Sequence, residues 1–278
     1  MALKQDAVGY TTEALVHEYD WKDTVLYALG CGATRDELDF LYEERGPKVL
    51  PTYAVIPAYF VNGKLFDAVG GDMLGVVHGG QKITLHQPFA PKATLRTIGK
   101  VSGIYDLKRM ATSIITTETR DEHDTLICET EWQIIYRFDG GFGGEAPPKT
   151  KKYRPPERAP DFRVEEKTSP EQALLYRLTG DLNPLHADPA IGEKAGFGGP
   201  ILHGLCTYGY VGRAILREAC GGDLTRLKSF AGRFTKPVLP GDTLITEGWQ
   251  EDGLLLVRAS TKERPEEYVF SNAVADVE

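Results

Sequence analysis

The sequence predicts an α+β protein made of two related units, and an internal repeat is the first observation that supports this. Residues 88–99 read PFAPKATLRTIG and residues 237–248 read PVLPGDTLITEG, so both match P-x-x-P-x-x-T-L-x-T-x-G. The second copy starts 149 residues after the first, about half the length of the 278-residue chain. This spacing predicts two units of ordinary domain size.

Stretches with strand character follow each copy of the repeat. The segments SIITTETRD and TLICETEWQIIYRF come after the first copy, and LLLVRAS and YVFSNAVADV come after the second. Their alternation and β-branched residues favour antiparallel strands. The second unit also contains GLCTYGYVGRAILREACGG, whose helical period and final glycines predict a long helix near residues 205–219. We therefore expect a long helix wrapped by an antiparallel sheet.

The first unit differs, because no comparably long apolar helix is evident before its copy of the repeat. It offers PTYAVIPAYF, with two prolines, and then the glycine-containing residues 68–80. One interpretation is that this half binds substrate while the other carries the chemistry; the alternative is that its helix shortened by drift after duplication. Residues 145–160, EAPPKTKKYRPPERAP, predict a linker. The predicted units are therefore 1–150 and 151–278.

Composition limits the classes of function. Hydrophobic residues make up 41% of the chain, and neither a membrane-spanning apolar run nor the apolar core of a signal peptide is evident. The formal net charge of -8 argues against a general nucleic-acid partner, which would call for a basic face. The cysteines lack C-x-x-C spacing and are expected to be free thiols in a reducing compartment. They are Cys31, Cys128, Cys206 and Cys220.

A carboxylate, a carboxamide and an imidazole lie close together at Asp181, Asn183 and His186, in the segment YRLTGDLNPLHA. A helix is predicted just before them, capped by Ser169 and ended by Gly180. The proline after Asn183 disfavours helix there, so the chain can turn and bring Asp181 and His186 to one point. A water held between them would be open to acid–base activation. Ordinary turn formation explains GDLNP alone about equally well.

A second motif strengthens the functional interpretation. Residues 198–205, GGPILHGL, open the long predicted helix, and the first turn of a helix carries N–H groups without intrahelical acceptors. Glycine allows close approach of the backbone to a ligand, so the Gly204 N–H is a candidate donor to a thioester carbonyl oxygen. His203 either helps to shape this turn or is a structural histidine. The two motifs together predict one site.

With these motifs the chain resembles the hydratase 2 group of the MaoC-like hot-dog superfamily, which includes the hydratase part of peroxisomal multifunctional enzyme type 2. The resemblance rests on YRLTGDLNPLHAD and GFGGPILHGLCTYGY, with VLPTYAVI, GGFGG and RFTKPVLPGDTL in support. It implies a double hot-dog fold and a homodimer. It also implies (3R)-specific hydration of trans-2-enoyl-CoA, in fatty acid or related acyl-CoA β-oxidation.

Position by position, the resemblance assigns the catalytic pair to Asp181 and His186, the supporting amide to Asn183 and the oxyanion donor to Gly204. It implies that the first unit admits the acyl chain beside an incomplete central helix. It implies neither an organic cofactor nor a metal. Asp181, His186 and Asp188 could in principle bind a metal, but Asp188 is better explained as the cap of a short helix than as a metal ligand. The sequence has no G-x-G-x-x-G, Walker, G-x-S-x-G or H-E-x-x-H motif.

Basic residues cluster in the sequence around the end of the long helix and the strand that follows. Coenzyme A carries phosphate groups, so some of these residues are candidates to bind it, with solvated surface charge as the alternative. Arg233 and Lys236 are the named candidates for the CoA moiety. The other members of the cluster are Arg213, Arg217 and Lys228.

Two rival functions stay open at this point. A hot-dog acyl-CoA thioesterase would share the fold, although the D-x-N-x-x-H turn argues against it. A non-catalytic acyl-CoA binding protein would need neither Asp181 nor His186. The acyl group itself is undetermined between fatty, branched and sterol side chains. The last residues, ADVE, are not a peroxisomal S-K-L signal, so we expect a cytoplasmic enzyme or a piece of a larger peroxisomal one.

Overall fold

One continuous antiparallel sheet forms the framework of the protein. The computed structural model describes residues 3–278. The sheet has ten strands, in the order β1-β3-β4-β5-β2-β7-β10-β9-β8-β6, with the bounds given next. They are β1 (Leu15–Tyr19), β2 (Val76–Leu85), β3 (Ala93–Asp106), β4 (Ala111–Arg120), β5 (Leu126–Tyr136), β6 (Phe162–Lys167), β7 (Leu227–Phe234), β8 (Thr243–Glu251), β9 (Leu254–Thr261) and β10 (Arg264–Val277).

The two halves of the sheet have the same internal order. Each half runs first, third, fourth, fifth and second strand, and the two second strands, β2 and β7, pair at the centre of the sheet. The repeated motifs occupy equivalent places. Thr97 of β3 lies opposite the first strand of its half, and Thr246 of β8 lies opposite β6. The internal repeat in the sequence thus corresponds to an internal repeat in the structure.

Each half packs a long helix against its part of the sheet. Helix α2 lies against β3 and β4, and α5 lies against β7 and β8. Helix α5 is the one predicted near residues 205–219. This arrangement is the double hot-dog fold that the sequence predicts. The α-helices of the described residues are α1 (Trp21–Gly30), α2 (Val55–Val69), α3 (Gln172–Tyr176), α4 (Pro189–Lys194) and α5 (Gly204–Glu218).

The helix of the first half is longer than the sequence analysis predicts. Helix α2 has 15 residues, as many as α5, so the expectation of a shortened or incomplete helix in this half is wrong. Pro57 is the third residue of α2, where the N–H of any residue would lack an intrahelical acceptor, so proline does not interrupt the helix. A 3-10 turn, Pro51–Ala54, leads into it.

Helix α5 also packs closely against the first half of the chain. A Cβ atom on Gly209 would lie 2.2 Å from Sγ of Cys31, and one on Gly212 would lie 2.5 Å from the side chain of Thr52. Only glycine allows this approach. Because Cys31 follows α1 and Thr52 precedes α2, the two halves share one hydrophobic core.

Arg213 of α5 lies in the interior. Its side chain is 2% exposed; it donates to the Glu37 carboxylate and lies 3.1 Å from a Glu166 carboxylate oxygen. The suggestion that it belongs to a CoA-binding cluster is therefore wrong, because both carboxylates already pair with it. Arg217, near the same end of α5, pairs with Glu218 at 2.8 Å. These cations lie at the opposite end of α5 from Gly204.

Residues 137–161 connect β5 to β6 without forming a helix or a strand. The segment is held against the second half, because the Tyr153 N–H donates to Asn272 Oδ1 at 2.7 Å and Trp249 Nε1 donates to the Arg158 carbonyl at 3.0 Å.

All four cysteines are buried and free. Within residues 3–278, no helix is long and apolar enough to cross a membrane.

Candidate active site

The helix before the predicted turn is short and ends tightly. Helix α3 continues as a 3-10 turn over Arg177–Thr179. The N-cap position of α3 is Glu171, which makes no capping hydrogen bond, so the prediction of Ser169 as the cap is wrong; Ser169 instead shapes the preceding turn, where its Oγ accepts the Glu171 N–H at 3.0 Å. Gly180 ends the 3-10 turn with a φ of +133°, in the left-handed region that favours glycine. The chain therefore changes direction immediately before Asp181, as predicted.

Asp181 is held through one of its carboxylate oxygens. Its Oδ1 accepts the Asn183 N–H at 3.2 Å and the Tyr59 hydroxyl at 2.9 Å. Tyr59 lies on α2, in the first half of the chain. Neither hydrogen bond uses Oδ2, which leaves that oxygen for a ligand. The sequence gives no sign of Tyr59, because 122 positions separate it from Asp181 and no local pattern links them.

Asn183 shapes the turn and lines the cavity beside it. Its Oδ1 accepts the Leu185 N–H at 3.0 Å, which caps the 3-10 turn Pro184–His186. Asparagine commonly caps a turn that begins with proline in this way. Through this cap, Asn183 fixes the direction in which His186 leaves the chain.

His186 is buried with one ring nitrogen committed to the backbone. Its Nδ1 lies 2.8 Å from the Ile201 carbonyl oxygen, so Nδ1 carries the hydrogen and donates. Nε2 then offers a lone pair to a ligand. Burial lowers the pKa of His186 below its usual 6.5, against the opposing attraction of the Asp181 carboxylate. The imidazole is therefore neutral at neutral pH and accepts a hydrogen bond.

His203 joins the two motifs. Its Nε2 donates to the Asp181 backbone carbonyl at 3.1 Å, and its ring stacks on His186 with centroids 3.7 Å apart. Burial lowers its pKa to about 3, and the neighbouring His186 adds to this effect. His203 thus holds the turn against the start of α5. From the sequence, His203 could either shape this turn or be a structural histidine.

Asp181, His186 and His203 each place one potential ligand atom within 4.8 Å of the others. Such a cluster is compatible in size with a metal ion, but its geometry favours hydrogen bonding. The two imidazoles are stacked at 27°, so their in-plane lone pairs do not converge on one ion. Asp188 stands outside the cluster and caps α4 by accepting the Ala190 N–H at 2.9 Å, as predicted.

Gly204 is the first residue of α5 and lines the cavity. Its N–H therefore belongs to the helical turn whose donors have no intrahelical acceptor. A Cβ at this position would lie 3.3 Å from the Phe234 ring, so glycine keeps the approach open. The four residues predicted for the site, Asp181, Asn183, His186 and Gly204, all line this one cavity.

The cavity has a volume of about 640 Å³ and lies between the two halves. The second half supplies the predicted site residues. The first half supplies a mainly apolar wall that also contains four polar or charged side chains, Tyr59, Asn62, His78 and Arg137. That wall comprises Tyr59, Asn62, Phe66, Met73, Val76, Val77, His78, Trp132, Ile134 and Arg137.

The basic residues predicted for CoA differ in position. Lys236 lines the cavity, and its Nζ lies 3.7 Å from a Glu267 carboxylate oxygen. Arg233 is exposed on β7 and does not line the cavity. Its guanidinium donates to Thr150 Oγ1 at 3.4 Å. Arg137 lines the cavity and was missed, since nothing in its local sequence distinguishes it.

His78 lies in the apolar wall. Its ring stacks on Trp132 with centroids 4.9 Å apart, and its Nε2 donates to the Gly80 carbonyl at 2.9 Å. Burial lowers its pKa to about 4, so it remains neutral. His78 therefore adds no charge to the cavity.

Two family models match the chain. The MaoC-like domain matches residues 151–268, and the hydratase 2 N-terminal domain of multifunctional enzyme type 2 matches residues 17–138. The first match contains the Asp181 turn and Gly204. The second contains Tyr59 and the whole of the mainly apolar wall.

Named relatives span most of the chain. 3-Hydroxyacyl-thioester dehydratase Y of Mycobacterium tuberculosis is 40% identical over 261 residues, which is 91% of this chain and 89% of the relative. Peroxisomal enoyl-CoA hydratase 2 of Arabidopsis thaliana is 38% identical, covering 89% of this chain and 87% of the relative. The crystal structure of a MaoC-like dehydratase from Phytophthora capsici superimposes with a TM-score of 0.89 at 31% identity, over 99% of this chain and 98% of that one.

Proposed function

The chain belongs to the MaoC-like hydratase 2 family, and we infer from this that it adds water across the trans double bond of 2-enoyl-CoA thioesters to give (3R)-3-hydroxyacyl-CoA. The reaction is reversible and belongs to fatty acid or related acyl-CoA β-oxidation. One observation carries the assignment to this site. The Asp181 carboxylate and the free Nε2 of a neutral His186 face the same cavity as the first N–H group of α5.

The mechanism follows from which atoms are free. A water between Asp181 and His186 donates one hydrogen bond to Nε2 and gives its other proton to the Asp181 carboxylate as its oxygen bonds to C3. The electrons of the double bond move to the thioester oxygen, where the Gly204 N–H stabilises the negative charge. C2 then takes the proton from Asp181, so the carboxylate is restored. In this account Asn183 and Tyr59 position the base.

We propose a division of work between residues 1–150 and 151–278. The second unit supplies Asp181, His186 and Gly204, while the first supplies the mainly apolar wall that suits an acyl chain. Since α2 is a full-length helix, no gap in the helix is available for the acyl chain. The chain would instead pack against the side chains of this wall. For the CoA end we propose Lys236, which lines the cavity, with Arg233 nearby on β7 as a weaker candidate.

We further propose a homodimer in a reducing compartment, either the cytoplasm or the peroxisome. Four buried free thiols support the compartment. The dimer is not needed to complete the site, since Tyr59 and Asp181 come from one chain of 30.7 kDa. Light scattering tests the dimer, because it would give twice this mass. A fluorescent fusion tests the location.

The reaction is tested by incubating the purified protein with trans-2-decenoyl-CoA and identifying the product. We expect 3-hydroxydecanoyl-CoA of (3R) configuration on a chiral column, with no free CoA detected by a thiol reagent. Release of CoA without hydration would indicate a thioesterase. Binding without any product would indicate an acyl-CoA binding protein.

A further inference from the structure

Asn62, in the mainly apolar wall of the cavity, has a polar side chain that a plain hydrocarbon chain would leave without a hydrogen-bond partner. Asn62 of α2 is 1% exposed and lines the cavity, yet neither its Nδ2 nor its Oδ1 has a hydrogen-bond partner among the described residues. Buried amide groups are almost always hydrogen-bonded, because an unpaired buried donor or acceptor costs free energy. The missing partner is therefore to be sought in what occupies the cavity.

The position of Asn62 on α2 aims it at the cavity. Tyr59, Asn62 and Phe66 are spaced by three and four residues, so they share one face of the helix. All three line the cavity. With a rise of about 1.5 Å per residue, Asn62 lies roughly 4.5 Å farther along the helix axis than Tyr59. Since Tyr59 contacts Asp181, Asn62 lies about one helical turn farther from Asp181, and an acyl chain bound along this face of α2 would place carbon atoms beyond C3 beside it.

The chemistry of an amide defines the group that would fit. Asn62 offers two N–H donors and a carbonyl acceptor, but no charge. A hydroxyl group can both accept from Nδ2 and donate to Oδ1, and a ketone oxygen can accept from Nδ2. Asn62 has no charge with which to pair an ionised group, and the wall around it includes the apolar side chains of Phe66, Val77 and Trp132.

We propose that Asn62 is a specificity residue that selects 2-enoyl-CoA substrates carrying a hydroxyl or keto oxygen on the acyl chain beyond C3. This inference rests on the proposed hydratase function and narrows its substrate class. A saturated hydrocarbon chain leaves both amide atoms unpaired, whereas an oxygenated chain satisfies at least one of them. The preference arises from that difference.

The test compares trans-2-octenoyl-CoA with its analogues that carry one hydroxyl at C5, C6 or C7. We expect at least one analogue to have a kcat/KM about tenfold or more above that of the plain substrate. Asn62→Leu, similar in size but without polar atoms, should abolish or reverse that ratio. Phe66→Leu changes the same face of α2 without changing its polarity, and it should keep the ratio even if absolute rates move.

Binding provides a readout that does not depend on catalysis. The wild-type protein should bind the corresponding saturated hydroxyoctanoyl-CoA about tenfold more tightly than octanoyl-CoA by calorimetry. This result would stand even if hydration failed, so failure of the proposed function can be distinguished from failure of this inference. Equal affinity for the plain and all hydroxylated chains would overturn it, since a water molecule would then satisfy Asn62. So would a preference that Asn62→Leu leaves unchanged.

Discussion

Tyr59 of α2 donates its hydroxyl hydrogen to Oδ1 of Asp181 at 2.9 Å, so the first half of the chain holds the carboxylate that we propose as the base in the second half. Burial, together with the Asp181 carboxylate, raises the pKa of Tyr59, which keeps the hydroxyl protonated and donating. With the Asn183 N–H on the same oxygen, the carboxylate has one orientation.

Tyr59→Phe should therefore lower kcat by about tenfold, because hydrogen bonds to charged groups contribute about 1.5–3 kcal/mol. The phenyl ring keeps the packing against Trp132, so KM should change little. Steady-state kinetics on trans-2-decenoyl-CoA measures the effect. Tyr53→Phe is the matched control, since the Tyr53 hydroxyl is buried without a partner in the described residues. A kcat for Tyr59→Phe equal to that of this control would rule out the positioning role.

Acid should destabilise the fold through its buried histidines. Burial lowers the pKa of His78 to about 4 and that of His203 to about 3, against 6.5 for the unfolded chain. Below pH 6.5 these histidines bind protons in the unfolded state but stay neutral in the folded state. Their contribution to the free energy of unfolding is therefore fully present above pH 6.5 and is lost as the pH falls. Between pH 7 and pH 5 the loss should be about 2 kcal/mol per histidine.

Urea unfolding at pH 7 and pH 5 measures this loss. His78→Phe keeps a ring against Trp132 but removes one titrating group, so its loss between the two pH values should be smaller by about 2 kcal/mol. Identical losses in the variant and the wild type would show that His78 is not responsible.

The glycines of the two long helices should respond in opposite directions to alanine. Gly209→Ala places a Cβ 2.2 Å from Cys31 Sγ, and overpacking of this kind costs about 1–3 kcal/mol. Gly63 of α2 is exposed and has no atom within 4 Å of an added Cβ, so Gly63→Ala should stabilise by about 0.5–1 kcal/mol. Thermal unfolding of both variants checks the prediction. Stabilisation by Gly209→Ala would contradict the close packing of α5.

Arg213 should matter for stability and not for CoA binding. Arg213→Met removes the buried cation that pairs with the partly buried Glu37 and Glu166 carboxylates, and Glu166 keeps only Arg217 at 3.8 Å, so the change should cost about 1.5–3 kcal/mol. Arg217→Met, at a half-exposed cation, should cost about 1 kcal/mol or less. Chemical unfolding and KM for decenoyl-CoA are measured together. A raised KM with unchanged stability for Arg213→Met would restore the CoA-binding interpretation.

Local patterns in the sequence predict the turn at Asp181, but they do not reveal contacts between residues far apart in the chain. Ser169, Gly180 and Asn183 have their effects within a few residues, so spacing alone indicated that Asp181 would start a turn. Tyr59 and Arg213 gain their roles from partners far away in the chain, and Arg213 looked like one more surface cation.

The long helix of the first half was missed for a related reason. Proline is read as a helix breaker, but Pro57 lies in the first turn of α2, where it breaks no hydrogen bond. Asn62 gave no signal in the sequence either. Asn62 stands out only in the structure, where its amide is unpaired and lies in a mainly apolar wall.

The most direct test of the catalytic turn is the loss of enoyl-thioester ultraviolet absorbance with trans-2-decenoyl-CoA in three proteins: wild type, Asp181→Asn and Asp188→Asn. Asp188 lies seven positions on and caps α4, a task that asparagine performs as well, so the same substitution there is a matched control. We predict rapid loss in the wild type and in Asp188→Asn, with a rate lower by about a hundredfold or more in Asp181→Asn. Equal rates in all three proteins would contradict the assignment of Asp181 as the base.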